Sequence, residues 1–309
     1  RVLLASGEVV NASPTENSDL YWATFGGMGL LGVIVEATIR LRRVETTYFE
    51  QTAVTVPNLE ALLEAFDEYH HLPYSVAWID SLATGADLGR GVLTVGDHAT
   101  LDKLPPRLAK EPLRVSGGSM VSLPVELPGM ALNTASIAML NQVLNQVQKH
   151  AAPIAHYEKF FYPLDFVDNW NRGYGAGGFT QYQFVIPLER GLENMRELLE
   201  TIAQSGNSPF LNVLKRLGPE RPETMLSFPH EGYTFAIDFP VRAGLEDLLK
   251  RLDRRVVDMG GRIYLGKDAF VSSETFERMY PKLPEWRAIK AKYDPEGAFS
   301  SNLSRRVGL

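Results

Sequence analysis

The sequence predicts an α+β chain in which a sheet is covered by helices, and three observations carry this. A strand–helix–strand phrase occurs three times, each with period-two alternation giving way to a helical apolar stripe and back. The copies share pattern and not sequence, which points to one packed sheet rather than a solenoid. At 309 residues the chain also exceeds the usual size of a single core, so about two domains are expected, divided near Val44.

In chain order, residues 2–4 and 8–10 flank Ser6-Gly7 as a hairpin pattern. Asp19 is placed to cap a short helical turn over 20–24 that ends at Gly26-Gly27. Val35, Ala37, Ile39 and Leu41 then alternate with Glu36, Thr38, Arg40 and Arg42, which predicts a half-buried strand over 33–41. The first phrase follows: a strand over 47–56, a helix capped by Asn58 with Leu59, Leu62, Leu63, Phe66 and Tyr69 on one stripe, and a strand over 74–79. The second phrase spans 180–186, 192–202 and 210–214, and the third 233–239, 245–257 and 262–265. Between the first and second lie a Pro/Gly-rich stretch over 104–129 and a long helical pattern from 131 to about 151. The tail from Pro295 is expected to return to the first domain.

Composition excludes several classes. The 31 Lys and Arg against 37 Asp and Glu give a net charge of −6 with no long basic run, so nucleic acid is not an expected partner. The absence of cysteine removes disulfides, thiolate metal sites, Fe–S clusters and Cys nucleophiles. The longest apolar stretch, over 28–35, falls far short of the ~18–20 residues of a spanning helix. No signal-peptide pattern is present, and the start at Arg1 without Met reads as a fragment.

Few residues suggest chemistry. Gly27-Met-Gly-Leu-Leu-Gly32 satisfies G-x-G-x-x-G, but a helical turn precedes it and a strand pattern follows, the reverse of the dinucleotide-binding context. A tight turn is the competing reading, although a glycine cluster also lets a ligand approach the backbone. The six histidines, His70, His71, His98, His150, His156 and His230, show no metal-ligand spacing. In the third phrase a strand delivers Tyr264 and then Lys267, a cation that a site could hold or that could simply emerge into solvent. Lys215 repeats that theme at the end of the second phrase. Alternation sets Gln181, Gln183 and Val185 on one face of their strand, and two amides on an apolar strand want partners if buried.

The run from Glu16 to Leu41 resembles the end of the FAD-binding domain of vanillyl-alcohol-oxidase-type flavoproteins. More particular are Tyr74-Ser-Val-Ala-Trp-Ile-Asp80, Phe161-Tyr-Pro-Leu-Asp165 with Trp170-Asn-Arg172, Gln181-Tyr-Gln-Phe-Val-Ile-Pro187 and Phe210-Leu-Asn-Val-Leu-Lys215. Gly261-Arg-Ile-Tyr-Leu-Gly-Lys-Asp268, Glu274-Thr-Phe-Glu-Arg-Met-Tyr-Pro281 and Phe299-Ser-Ser-Asn-Leu-Ser-Arg-Arg306 complete the set. In order and spacing these are similar to the decaprenylphosphoryl-β-D-ribose 2′-oxidase family, over essentially the whole chain.

The resemblance implies residues 1–44 as the C-terminal part of an FAD-binding domain, 45–294 as a substrate domain of antiparallel sheet covered by helices, and 295–309 as the returning tail. The family's N-terminal half-domain, with the main pyrophosphate loop and a histidine near the flavin, would precede residue 1. The resemblance further implies that Gly27, Gly29, Gly32 and Ile34 lie along the FAD, with Tyr264 and Lys267 at the flavin and Lys267 catalytic. Gln183, Lys215, Leu164 and Val213 would line the substrate pocket, with Lys215 suited to phosphate. Ala236 stands where well-known members carry a cysteine, and Thr234 where they carry an asparagine.

The implied reaction is oxidation of the 2′-hydroxyl of decaprenylphosphoryl-β-D-ribose, or a similar lipid-linked pentose, to a ketone. This would be the first half of an epimerisation toward the arabinose donor for cell-wall arabinan. An NAD-dependent short-chain reductase would complete it, a quinone or oxygen would reoxidise the flavin, and the lipid-linked substrate would bring the protein to the membrane periphery, on either the cytoplasmic or the periplasmic side. Alternatives are a sugar-lactone or alditol oxidase of the same superfamily, or a non-catalytic module.

Overall fold

The computed structural model describes residues 1–115, 121–122, 125–126, 151–163, 167–207, 209 and 211–309. Near the start, β1 (Val2–Leu3) pairs antiparallel with β2 (Val9–Val10), and the expected hairpin turns at Gly7, whose φ of +85° suits a residue without Cβ. The helix α1 (Ser18–Thr24) begins two residues earlier than an Asp19 cap would set it. Asn17 precedes it in a left-handed conformation, and the Asp19 carboxylate instead accepts from Tyr293 Oη at 2.9 Å and Lys292 Nζ at 2.6 Å.

The strand expected over 33–41 is corrected. Only β3 (Val33–Ile34) forms, paired antiparallel with β1, and residues 35–43 join no ladder. Alternation supplies a face but no partner: β1 is two residues long, and Ile39 and Leu41 lie 75% and 84% exposed.

From β4 (Tyr48–Val56) the expected phrases appear almost residue for residue. Asn58 caps α2 (Leu59–Glu68), its side chain accepting from Ala61 N at 3.0 Å. Then come β5 (Tyr74–Ile79) and β6 (Gly91–His98). The short β7 (Val121–Ser122), β8 (Ile154–His156), α3 (Tyr157–Phe161) and β9 (Val167–Asp168) follow, β7 pairing in parallel with β9. The helical pattern expected over 131–151 lies outside the described residues except at its last position. The second phrase is β10 (Phe179–Pro187), α4 (Gly191–Gln204) and β11 (Leu211–Leu217). The third is β12 (Gly232–Pro240), α5 (Leu245–Asp258) and β13 (Arg262–Ile263). Three short helices close the chain: α6 (Ser273–Met279), α7 (Leu283–Tyr293) and α8 (Asn302–Val307).

The phrases merge into one eight-stranded sheet of order β13-β10-β12-β11-β5-β6-β4-β8, antiparallel throughout. On one face α2, α4 and α5 pack side by side over Tyr182, Phe184, Ile186, Phe235, Ile237 and Leu214, all buried in the main core. The opposite face carries the alternate residues. There Phe49, Tyr74, His98, Phe160 and Phe161 form an aromatic cluster with centroids 4.5–6.5 Å apart, while the β10–β12–β11 end is polar.

Candidate active site on the open face of the sheet

Strand register builds the site. Because side chains alternate, Gln181, Gln183 and Val185 on β10 share the open face with their partners Asp238, Ala236 and Thr234 on β12. These in turn sit opposite Leu211, Val213 and Lys215 on β11, and Val213 opposite Trp78 on β5. Three expected pocket residues, Gln183, Val213 and Lys215, therefore lie within three adjacent strands, with Ala236 and Thr234 between them. Leu164 and Phe210 lie outside the described residues.

The amides do find partners. Gln183 Nε2 donates to Thr234 Oγ1 at 2.9 Å, and that hydroxyl donates to the Phe184 carbonyl at 2.8 Å. Gln181 Nε2 donates to Asp238 Oδ1 at 3.0 Å, and Tyr174 Oη approaches Asp238 Oδ2 at 3.4 Å. Tyr174 stacks on Phe179 with centroids 4.3 Å apart, an aromatic pair beside Asp238.

The strand expected to carry Tyr264 and Lys267 is shorter than its pattern. β13 ends at Ile263; Tyr264 N still donates to the Gln183 carbonyl at 2.8 Å, and a 3₁₀ turn, Leu265–Lys267, follows. Lys267 N returns to the Tyr264 carbonyl at 2.9 Å. At Gly266 a Cβ would come within 2.8 Å of the Tyr264 ring, so the turn wraps tightly over that ring. The ring, 39% exposed, also meets Phe228 at 4.8 Å.

Electrostatics tie the loop to the sheet. Burial lowers the Lys215 pKa, and the like charge of Lys267 adds to this. Burial raises the Asp238 carboxyl above the ordinary range, opposed by the Gln181 hydrogen bond and the positive charge of Lys267. Lys215, Lys267 and Asp238 thus share one electrostatic neighbourhood. Asp238, 5% exposed, was not singled out in the sequence, although a carboxylate between Ile237 and Phe239 carries the same signal as the amides of β10.

The glycine segment reaches this neighbourhood through chain contacts. A Cβ on Gly26 would lie 2.1 Å from the Leu226 carbonyl oxygen, two residues before Phe228. Gly27 and Gly32 approach the chain's own backbone, at Ala23 and Leu3 respectively. Gly29 differs: its φ is +74° and no atom lies within 4 Å of the Cβ position. Ile34, 57% exposed, is on β3, the edge of the three-stranded sheet β2-β1-β3. Trp286 of α7 fastens α1 behind the glycines, its Nε1 donating to the Ala23 carbonyl at 2.9 Å.

The D-arabinono-1,4-lactone oxidase family model matches residues 177–307. The decaprenylphosphoryl-β-D-ribose oxidase of Mycolicibacterium smegmatis is 37% identical over 312 aligned residues, covering 100% of this chain and 67% of that protein. Among solved structures, the xylooligosaccharide oxidase of Myceliophthora thermophila C1, in complex with xylobiose, superposes with a TM-score of 0.59 and 14% identity, over 98% of this chain and 64% of that one. The glucooligosaccharide oxidase of Acremonium strictum gives 0.59 and 15%, over 99% and 65%. The chain thus spans slightly less than two thirds of these two structures.

The fold is that of the vanillyl-alcohol-oxidase-type flavoprotein oxidases, oxidoreductases that use FAD. Within that class, the chain belongs to the decaprenylphosphoryl-β-D-ribose oxidase family.

Proposed function

We propose that the open face of the sheet receives a polyprenyl-phosphate pentose, such as decaprenylphosphoryl-β-D-ribose, for FAD-dependent oxidation of its 2′-hydroxyl to a ketone. In this reading residues 1–44 close an FAD-binding domain and 45–294 form the substrate domain. The tail over 295–309 is read as the returning segment; its own contacts are with α6 and with α7, whose Arg287 donates to the Gly308 carbonyl, and α7 in turn packs on α1. The observation that carries the reading is Lys215 and the amide of Gln183 on one face of the sheet, with Lys267 on the turn that follows Tyr264, whose N–H is held by the Gln183 carbonyl. A sugar phosphate needs such a set: cations for the phosphate and for developing charge, and hydrogen-bonding groups for the hydroxyls.

The residues present fit FAD. Gly29 leaves open space at a positive φ, and the unpaired edge of β3 at Ile34 offers backbone groups to a heteroaromatic ring. The exposed Tyr264 ring beside Lys267 offers a surface for the flavin. FAD, when bound, supplies the acceptor for the hydride leaving the sugar carbon.

The chain's own residues bind and orient. The Lys215 ammonium holds phosphate oxygens as a point charge. Gln183, its NH₂ held by Thr234, turns its carbonyl oxygen to a sugar hydroxyl. Val213 and Trp78 form an apolar wall, with Leu164 assigned to the same pocket by the resemblance. Lys267 orients the reacting hydroxyl and stabilises negative charge as it develops. The ketone then passes to an NAD-dependent short-chain reductase, and a quinone or oxygen restores the flavin.

Anaerobic addition of polyprenyl-phosphoryl ribose to the flavin-loaded protein tests this: the flavin absorbance should bleach. A second reading, a sugar-lactone oxidase, is favoured by the family match over 177–307. Bleaching by D-arabinono-1,4-lactone but not by the lipid-linked sugar would select it. Bleaching by neither would leave a binding module.

A further inference from the structure

The tail motif ending in Arg306 has no part in the site as described so far, yet it reaches the residue next to Lys267. Asp268 follows the lysine directly, and its side chain is 2% exposed. One oxygen, Oδ1, accepts from the backbone N–H groups of Phe270 at 2.9 Å and Val271 at 3.0 Å. The other, Oδ2, accepts from Arg306 Nη2 at 2.8 Å, while Arg306 Nη1 donates to the Val271 carbonyl at 2.7 Å. The guanidinium therefore spans the two ends of the turn 268–271 in a forked geometry that a lysine reproduces only in part.

The other end of the loop is fixed independently. Tyr264 N is held by the Gln183 carbonyl, and Gly266 is wrapped against the Tyr264 ring. Lys267 thus sits between two anchors, the sheet on one side and the tail helix on the other. α8 is itself secured by the reciprocal capping box of Ser301 and Ser304 and by packing on α6.

We propose that Arg306 is a positioning residue for Lys267: from the C-terminal helix it clamps Asp268 and the Val271 carbonyl, and so fixes the turn that presents the Lys267 ammonium to the open face. This rests on the reading that Lys267 meets the substrate and flavin. It gives the C-terminal tail a share in the site without contact to either. Removing the clamp leaves a buried carboxylate short of its charged partner, and the turn must shift to rehydrate it.

The test compares Arg306→Ala, Arg306→Lys and Lys267→Ala in the flavin-loaded protein, with backbone amide exchange as a second readout. Arg306→Ala should slow flavin reduction about 10- to 100-fold with KM within about 3-fold, the signature of a misplaced group rather than lost binding. Amide exchange should rise at Phe270 and Val271 while β10 and β12 keep their protection. Arg306→Lys should recover part of the rate. An Arg306→Ala protein reducing its flavin within about 2-fold of the unmodified protein overturns the proposal, as does loss of protection across the whole sheet. Arg306→Gln, which removes the charge and the fork but keeps a polar side chain, is read the same way if the alanine variant does not fold. If Lys267→Ala is itself active, the reading of the lysine fails; if it is inactive while Arg306→Ala is normal, only the clamp fails.

Discussion

The two faces of one strand divide the labour of this molecule. On β10, Tyr182, Phe184 and Ile186 enter the core beneath α4 and α5, whereas Gln181 and Gln183 point the other way toward Asp238 and Thr234. Apolar burial on the first face stabilises the sheet whatever the second carries, so the second is free to hold cations, amides and a buried carboxylate. Even the polar group on the core face is occupied structurally: Tyr182 Oη donates to Asp253 on α5 at 2.8 Å, away from the site.

Breaking the core face should cost most. Phe184→Ala removes a fully buried ring, and a loss of about 3–5 kcal/mol in denaturant unfolding is expected. The Asp253 carboxyl sharpens the contrast through pH. Burial raises its pKa to about 7, partly offset by the Tyr182 hydrogen bond. A raised carboxyl stabilises the fold in its protonated form, fully below the unfolded pKa near 3.8 and progressively less as pH rises through about 7. Asp253→Asn should therefore match the unmodified protein near pH 4 and exceed its stability above pH 8, by on the order of 2–4 kcal/mol in paired unfolding curves.

On the open face the same measurements should move little while function moves much. Gln183→Ala should cost about 1 kcal/mol or less in stability, the net worth of one hydrogen bond, yet weaken binding of the lipid-linked sugar. Lys215→Ala should change stability by less than about 0.5 kcal/mol and raise KM for a phosphate-bearing substrate far more than for a free sugar. The smallest effect belongs to the 35–43 segment: Leu41→Ser should leave the melting temperature within about 1 °C, because an 84% exposed side chain has no packing to lose.

The sheet was legible because periods of 2.0 and 3.6 alternate cleanly through its phrases, and Asn58 announces α2. The same alternation misled at 35–41, where nothing in a local pattern says whether a partner strand exists. For the site, the faces of Gln183 and Lys215 could be read from parity within each strand, but their meeting through Ala236 and Thr234 depends on register, which no local spacing encodes. Glycine spacing was equally blind to cause: Gly27 and Gly32 make room for the chain's own carbonyls, and Gly29 alone opens outward. Asp238 escaped notice, and Arg306 stood in a motif without a role, because a charged residue near an apolar run is ordinary until its burial and partners are known.

The central claim is that the open face holds the reacting sugar, with Lys267 at the chemistry. Anaerobic stopped-flow reduction by polyprenyl-phosphoryl ribose, comparing unmodified and Lys267→Ala proteins of equal flavin content, tests it most directly. The flavin of the unmodified protein should bleach, and that of Lys267→Ala should keep its absorbance while the unfolding curve stays unchanged. Bleaching of Lys267→Ala at a rate close to that of the unmodified protein would contradict the account.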